Sequence, residues 1–419
     1  MTLREYKHVH CIGIGGIGLS AIARYCNSQG AVVTGSDTSS SRVTEELQKE
    51  GITVYYGHSI AHVASETELV IYSIAVTDSN PELKEAKERG ITCLTYPEAL
   101  GSLTKEYTTI AVCGTHGKTT TTAMIAEMLK SVGKDPTVIV GSLLKEKGTN
   151  FVEGTSEYLV VEACEYRRSF LELFPSHIVI TNIDEDHLDY YKDIKDIESA
   201  FSSFVAKLGE NSFLVTHGDI TLKTKAKKTN ADEIDIQSIH LSVPGLHNKM
   251  NAQLALSLAS ALSLNLTKAR EGLLNFTGTW RRLEYKGDYK GATLYDDYGH
   301  HPKEIKATLL AIREKYPKST HTLITFFQPH LYSRTKLLLN EFAKSFDDSD
   351  SVCILPIYAA REEDDGSISS QQLVEKIKGA TFIETFADAK KYIDSHAKNG
   401  TIILTIGAGD IYLLHDMLK

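Results

Sequence analysis

Twice within the first 120 residues, a short apolar run ends in a glycine-rich turn that opens a helical pattern. A strand that returns through a helix re-enters its sheet in the same direction, so units of this kind build parallel sheets covered by helices. The alternation continues along the chain. HVHCIGI, AVVTGSD and TELVIYSIAV read as strands, with IGLSAIARYCNSQG and RVTEELQKEG as helices between them. PELKEAKERG reads as a helix stopped at Gly90. A second series runs from YTTIAVCGTHGKTTTTAMIAEMLKSVG through the strands EYLVVEACE and SHIVITNID to the helix NAQLALSLASALSL. A third starts near TWRRLEY and carries TLYDDYGHHP, HTLITFFQPH, SVCILPIY and TIILTIGAGD as strand-and-loop units.

The first turn, Gly13-Ile14-Gly15-Gly16-Ile17-Gly18, has the spacing G-x-G-x-x-G. Its glycines allow a tight turn and close backbone approach, and the helix start behind it favours an anionic diphosphate. Asp37, at the end of the next strand, stands where a carboxylate meets a ribose hydroxyl. NAD satisfies this pattern, and so does a nucleotide sugar such as a UDP derivative. A turn that only packs helix on strand also satisfies it.

The second turn, Gly114-Thr115-His116-Gly117-Lys118-Thr119-Thr120, is a shortened relative of the P-loop, with Val112 where the strict pattern has its first glycine. Strand, loop, Lys-Thr-Thr and helix in that order predict a cradle for a nucleoside triphosphate. A γ-phosphate needs a metal ion, whose ligands belong at the ends of neighbouring strands. Glu162, after YLVV, and His187, after SHIVITNIDED, stand at such ends. Either residue alone would read as structural; together, beyond a P-loop, they read as Mg²⁺ ligands.

At roughly 150 residues per domain, 419 residues make about three domains. The expected architecture is α/β: a Rossmann-like domain over 1–105, a central P-loop ATPase domain over 106–280 and a Rossmann-like C-terminal domain over 281–419. With 42% hydrophobic and 24% charged residues the chain is globular, and a net charge of -9 argues against a general nucleic-acid binder. No apolar run of the roughly 18 residues that span a membrane occurs, and MTLREYKHVH lacks the apolar stretch of a secretory signal. The six cysteines form no C-x-x-C pair. A cytoplasmic protein is expected.

With these residues in place, the chain resembles the Mur ligases, ATP-dependent amide-forming enzymes of cell-wall precursor synthesis. The resemblance covers almost the whole chain. It rests on HCIGIGGIGLS, GTHGKTTTT, TNIDEDH, GLHNKMNA, TGTWRRLE, DDYGHHP and FFQPHLYSRT, in that order. It implies a peptidoglycan-precursor enzyme, tied to cell shape and division, that joins L-alanine to the carboxylate of UDP-N-acetylmuramate. ATP and Mg²⁺ would form an acyl phosphate on the way. A sister branch attaching a recycled peptide to the same sugar shares most of these motifs. An NAD-dependent oxidoreductase leaves the second turn, Glu162 and His187 unexplained.

The resemblance also implies roles. Gly13, Gly15, Gly16, Gly18, Asp37 and Ser73 would contact the UDP part. The loop 114–120, with Asn248, Asn251, Arg282 and Asp297, would bind ATP, Lys118 holding the β- and γ-phosphates. Thr119, Glu162 and His187 would ligate Mg²⁺. Tyr298, His300, His330 and Arg334 would line the amino-acid pocket, Arg334 pairing with the carboxylate and His300 accepting the amine's proton. The chain departs from relatives at Ile74, at Leu331 and in ACEYRRSF after Glu162. Ser202 and Ser203 stand near the place where other branches carry a carbamoylated lysine, so none is expected here.

Overall fold

The computed structural model describes residues 2–144, 148–188, 190–360 and 362–419. Among them lie three sheets, split between two compact units: Met1–His240 with Met250–Phe276, and Leu241–Lys249 with Thr277–Lys419.

The first unit holds two sheets. β1 (His8–Ile12), β2 (Val32–Asp37), β3 (Thr53–Tyr56), β4 (Leu69–Tyr72) and β5 (Thr92–Thr95) lie in the order 3-2-1-4-5, all parallel. The second sheet contains β6 (Thr108–Cys113), β7 (Thr137–Leu144), β8 (Thr149–Val152), β9 (Tyr158–Glu162), β10 (His177–Ile180), β11 (Phe213–Thr216) and β12 (Lys227–Asn230). Its order is 12-11-10-6-9-7-8, antiparallel only between β7 and β8.

Ile110, Ala111, Val112 and Cys113 of β6 are fully buried, as expected of a central parallel strand covered on both faces. One apolar cluster runs through both sheets of this unit. Helix Ile17–Ser28 contributes Tyr25 to an edge-on contact with Phe151, and Arg24 Nη1 donates to Asn150 Oδ1 at 2.5 Å. The first two sheets therefore share a core.

The second unit carries β13 (Glu284–Tyr289), β14 (Ala292–Asp297), β15 (Thr322–Phe327), β16 (Ser351–Ile354), β17 (Thr381–Phe382) and β18 (Thr401–Ile406), in the order 13-14-18-15-16-17. Only the β13–β14 hairpin is antiparallel.

In an open parallel sheet, ligands sit beyond the strand ends where the winding reverses. In the first sheet that point lies between β1 and β4. In the second, β6 is flanked by β10 and β9. Both glycine turns leave their sheets there.

Candidate active site

The turn after β6 needs its glycines. Gly114 has φ +131°, and a Cβ there would stand 2.1 Å from Thr181 Oγ1; Gly117 has φ +82°, and its Cβ would stand 2.7 Å from Asn251 Oδ1. Asn182, just past the end of β10, fixes the turn with its side chain and its backbone: His116 N donates to Asn182 Oδ1 at 2.9 Å, and Thr115 N donates to Asn182 O at 3.1 Å. Helix Lys118–Ser131 starts directly behind, so the amides of its first turn, which lack partners within the helix, adjoin the loop.

Lys118 Nζ donates to Gly114 O at 2.6 Å, Thr115 O at 3.0 Å and Glu165 Oε1 at 3.0 Å. Burial works against the ammonium ion, but Glu165 and then Cys164 and Glu162 outweigh it, so its pKa stands above the ordinary lysine value. The cation is thus charged, part-buried and held by acceptors that incoming phosphate oxygens can replace. Thr119 Oγ1 donates to Glu162 Oε2 at 2.8 Å, and that oxygen also takes Gly141 N at 2.8 Å. His187 is placed differently: its Nε2 lies 3.7 Å from Glu165 Oε1 and 3.9 Å from Asp186 Oδ2. Thr119 and Glu162 therefore meet directly, whereas His187 is joined to Lys118 through Glu165. Glu165, which no sequence motif marks, is a further member of this cluster. It is 2% exposed, and its Oε2 has no hydrogen-bond partner.

The first turn opens on a cavity of about 660 Å³ lined by Gly13, Gly15, Gly16, Asp37 and Ser73 among others. Gly13 has φ +82° and a Cβ there would touch Ser73 Cβ at 3.0 Å. Asp37 Oδ2 accepts Gly15 N at 2.8 Å and Oδ1 accepts Thr38 N at 2.7 Å. This carboxylate ties the turn to the end of β2 while also lining the cavity. Gly18 serves packing, since a Cβ would strike the Tyr96 ring at 2.5 Å.

In the second unit, the adjacent arginines part company. Arg281 is 2% exposed: Nε pairs with Asp296 at 2.8 Å, Nη1 donates to Gly409 O at 2.9 Å and Nη2 donates to Gly407 O. Arg282 is more open, 3.8 Å from Glu304 and over the Tyr298 ring. Tyr298, His300, His330 and Arg334 come together: the His300 ring lies 5.5 Å from Tyr298 and 6.0 Å from His330, and Arg334 Nη1 donates to His330 Nδ1 at 3.2 Å. Tyr358, stacked on His330 at 5.8 Å, is an unforeseen member. Leu331 is buried and contributes no charge. Asn248 Nδ2 donates to Pro244 O at 2.6 Å within this unit, whereas Asn251 belongs to the first unit and lies against Gly117.

Asp297 accepts Leu283 N and Gly299 N, both at 2.7 Å. Burial pushes its pKa up to about 6, against the pull of Arg282 and of those two amides. An unfolded chain releases this proton near pH 3.9, so between about pH 4 and pH 6 folding retains a proton that unfolding gives up. Stability attributable to Asp297 therefore falls as pH rises through that window and stays lowered above it, by an amount on the order of 3 kcal/mol. Asp297→Asn is expected to flatten this part of the profile. Urea midpoints at pH 4.5 and 6.5 check it; parallel slopes for variant and parent would contradict the assignment.

Three family models match in succession: the Mur ligase family catalytic domain over residues 8–108, the Mur ligase middle domain over 112–236 and the Mur ligase glutamate ligase domain over 281–409. The chain belongs to the Mur ligase family. A UDP-N-acetylmuramate–L-alanine ligase of Acetivibrio thermocellus is 41% identical over 99% of this chain and 96% of its own. One of Caldicellulosiruptor bescii is 43% identical over 97% of each. The crystal structure of the UDP-N-acetylmuramate-alanine ligase of Thermotoga maritima superposes with TM-score 0.82 at 28% identity over 98% of both chains. A murein peptide ligase of Psychrobacter arcticus shares the fold, with TM-score 0.73 at 23% identity over 98% of both chains.

Proposed function

We propose that this chain is an ATP-dependent ligase that joins L-alanine to the carboxylate of UDP-N-acetylmuramate, forming ADP and phosphate. The observation that carries the reading is Lys118, charged and largely shielded in a glycine loop and paired with the buried Glu165, in a chain with a separate cavity on the first glycine turn. The full-length relatives, named for the same reaction, support the alanine branch over the peptide-recycling one.

A free carboxylate is a poor acyl donor, because oxide would have to leave. Attack of the muramoyl carboxylate oxygen on the γ-phosphorus forms an acyl phosphate and breaks the bond to ADP. The alanine amine, as free base, then attacks the acyl carbon, and phosphate departs with the bonding electrons. Lys118 exchanges Glu165 and its loop carbonyls for the β- and γ-phosphate oxygens, while the amides of the loop 114–120 take the remainder.

The hydroxyl of Thr119 and the carboxylate of Glu162 are hard oxygen donors in contact, with His187 completing the proposed set. Among the described residues no group of three or more His, Cys, Asp or Glu side chains could hold a metal ion. Mg²⁺ takes one or two protein ligands with substrate phosphates and water, and Thr119 and Glu162 would supply them here. When bound, Mg²⁺ would neutralise phosphate charge and polarise the γ-phosphoryl group.

Asn248, Asn251, Arg282 and Asp297 are assigned to ATP, and Gly13, Gly15, Gly16, Asp37 and Ser73, which line the cavity, to the UDP part; Gly18 packs against Tyr96 instead. Tyr298, His300, His330 and Arg334 are assigned to alanine, with His300 as proton acceptor. The three segments 1–105, 106–280 and 281–419 would serve UDP-sugar, ATP and amino acid in turn. Among the described residues no helix is long and apolar enough to cross a membrane, and a cytoplasmic role in peptidoglycan precursor synthesis follows from the substrates. Phosphate release with ATP, UDP-N-acetylmuramate and each L-amino acid in turn tests the reading. L-Alanine is expected to stimulate release; stimulation only by a preformed peptide would move the chain to the sister branch.

A further inference from the structure

Beneath the cavity of the first sheet lies a polar cluster that the ligase chemistry does not use. Glu82, fully buried in the first turn of helix Pro81–Glu88, takes His62 Nδ1 at 2.7 Å and Ser59 N at 3.0 Å on Oε1. Oε2 takes the Ser36 hydroxyl and lies 3.3 Å from His10 Nε2. Burial would raise this carboxyl, but the donors from His10, Ser36, His62 and Ser59 bring it down to about 2. It is therefore an acceptor only.

That fixes the direction of the hydrogen bonds above it. The single proton of Ser36, itself fully buried at the end of β2, goes to Glu82. His58 Nδ1 lies 3.1 Å from Ser36 Oγ and 3.5 Å from Glu82 Oε2. Both neighbours of Nδ1 are acceptors, so the proton on a neutral His58 ring is assigned to Nδ1. Nε2 is then left with a lone pair. His58 lines the cavity, and with Nδ1 held in the wall, the edge left to the ligand carries that lone pair. Its place is informative. Gly57 N donates to Asp37 O at 2.8 Å, so His58 follows the joined ends of β2 and β3. A nucleotide whose diphosphate sits on the turn after β1 extends its nucleoside over those ends.

We propose that His58, with its tautomer set by Ser36 and Glu82, reads the base of the bound nucleotide by accepting the N3–H of uracil. Cytosine has nearly the same outline but a bare N3, so two lone pairs would face each other. The inference rests on the UDP assignment of this cavity made above. His58 is a specificity residue; Ser36 and Glu82 are positioning residues acting through it.

Calorimetric titration of the full chain with UDP, CDP and N3-methyl-UDP tests this without turnover. UDP is expected to bind at least about tenfold more tightly than either analogue, the cost of one unmade buried hydrogen bond. His58→Phe is expected to bring the UDP/CDP ratio close to one, and Ser36→Ala to lower it. Equal binding of UDP and N3-methyl-UDP by the parent would overturn the proposal, whatever the variants do. So would a His58→Phe protein that weakens UDP and CDP alike, since that places His58 on the phosphates. A parent chain that binds no UDP at all would instead sink the assignment of the cavity.

Discussion

Lys118→Ala is expected to lower the rate of ligation by about a thousandfold or more while leaving affinity for UDP-N-acetylmuramate unchanged. Preorganised cationic groups on a transferring phosphoryl are worth about that much, because they act in a dry site and need no reorganisation as charge moves. Here the ammonium group is part-buried and already pointed by Gly114 O and Thr115 O. Removing it also strands Glu165, 2% exposed, without its cation, which carries a stability cost of roughly 3–5 kcal/mol. The double variant Lys118→Ala with Glu165→Gln removes that complication and is expected to remain inactive. UDP-substrate titration shows that either protein is folded at the first turn. Turnover near the parental rate in the double variant would end the assignment of Lys118 to the phosphates.

The second large effect separates two neighbours. Arg281→Met is expected to destabilise the second unit by about 3–5 kcal/mol, because it leaves a buried carboxylate without its partner. Asp296 is fully buried, and beyond Arg281 it keeps the Thr405 hydroxyl at 2.6 Å. The carbonyls of Gly407 and Gly409 lose their donors at the same time. Arg282→Met, whose ion pair with Glu304 spans 3.8 Å and is partly solvated, should change stability by no more than about 1 kcal/mol and reduce ligation instead. Trp280, the one tryptophan of the chain, adjoins Arg281 and reports unfolding by fluorescence. Equal urea midpoints for the two variants would show that Arg281 is not the structural member of the pair.

What could be read from the chain alone divides along physical lines. Both glycine turns were legible because a left-handed φ at Gly13, Gly114 and Gly117 and a Cβ clash at Gly15 and Gly18 strongly favour glycine there, and central strands were legible as unbroken apolar runs. Edge strands were not: β12 reads KKTN, with mostly exposed side chains, and β5 reads TCLT, half-buried throughout. Of the two arginines, sequence adjacency cannot say which turns inward; Asp296 and the carbonyls after β18 decide it. Glu165 stood in a segment noted only for its charge, since its contact with Lys118 joins residues 47 apart. The cluster around Glu82 draws His10, Ser36, Ser59 and His62 from separate parts of the first sheet, so no local pattern announces it.

The most direct measurement is a crystal structure with UDP-N-acetylmuramate and a non-hydrolysable ATP analogue present together. Two occupied sites are expected, uridine diphosphate on the turn Gly13–Gly18 and the triphosphate on the turn Gly114–Thr120 with Lys118 moved from Glu165 onto it. A dinucleotide such as NAD displacing the sugar nucleotide from the first turn, or a second turn that stays bare at saturating nucleotide, would contradict it.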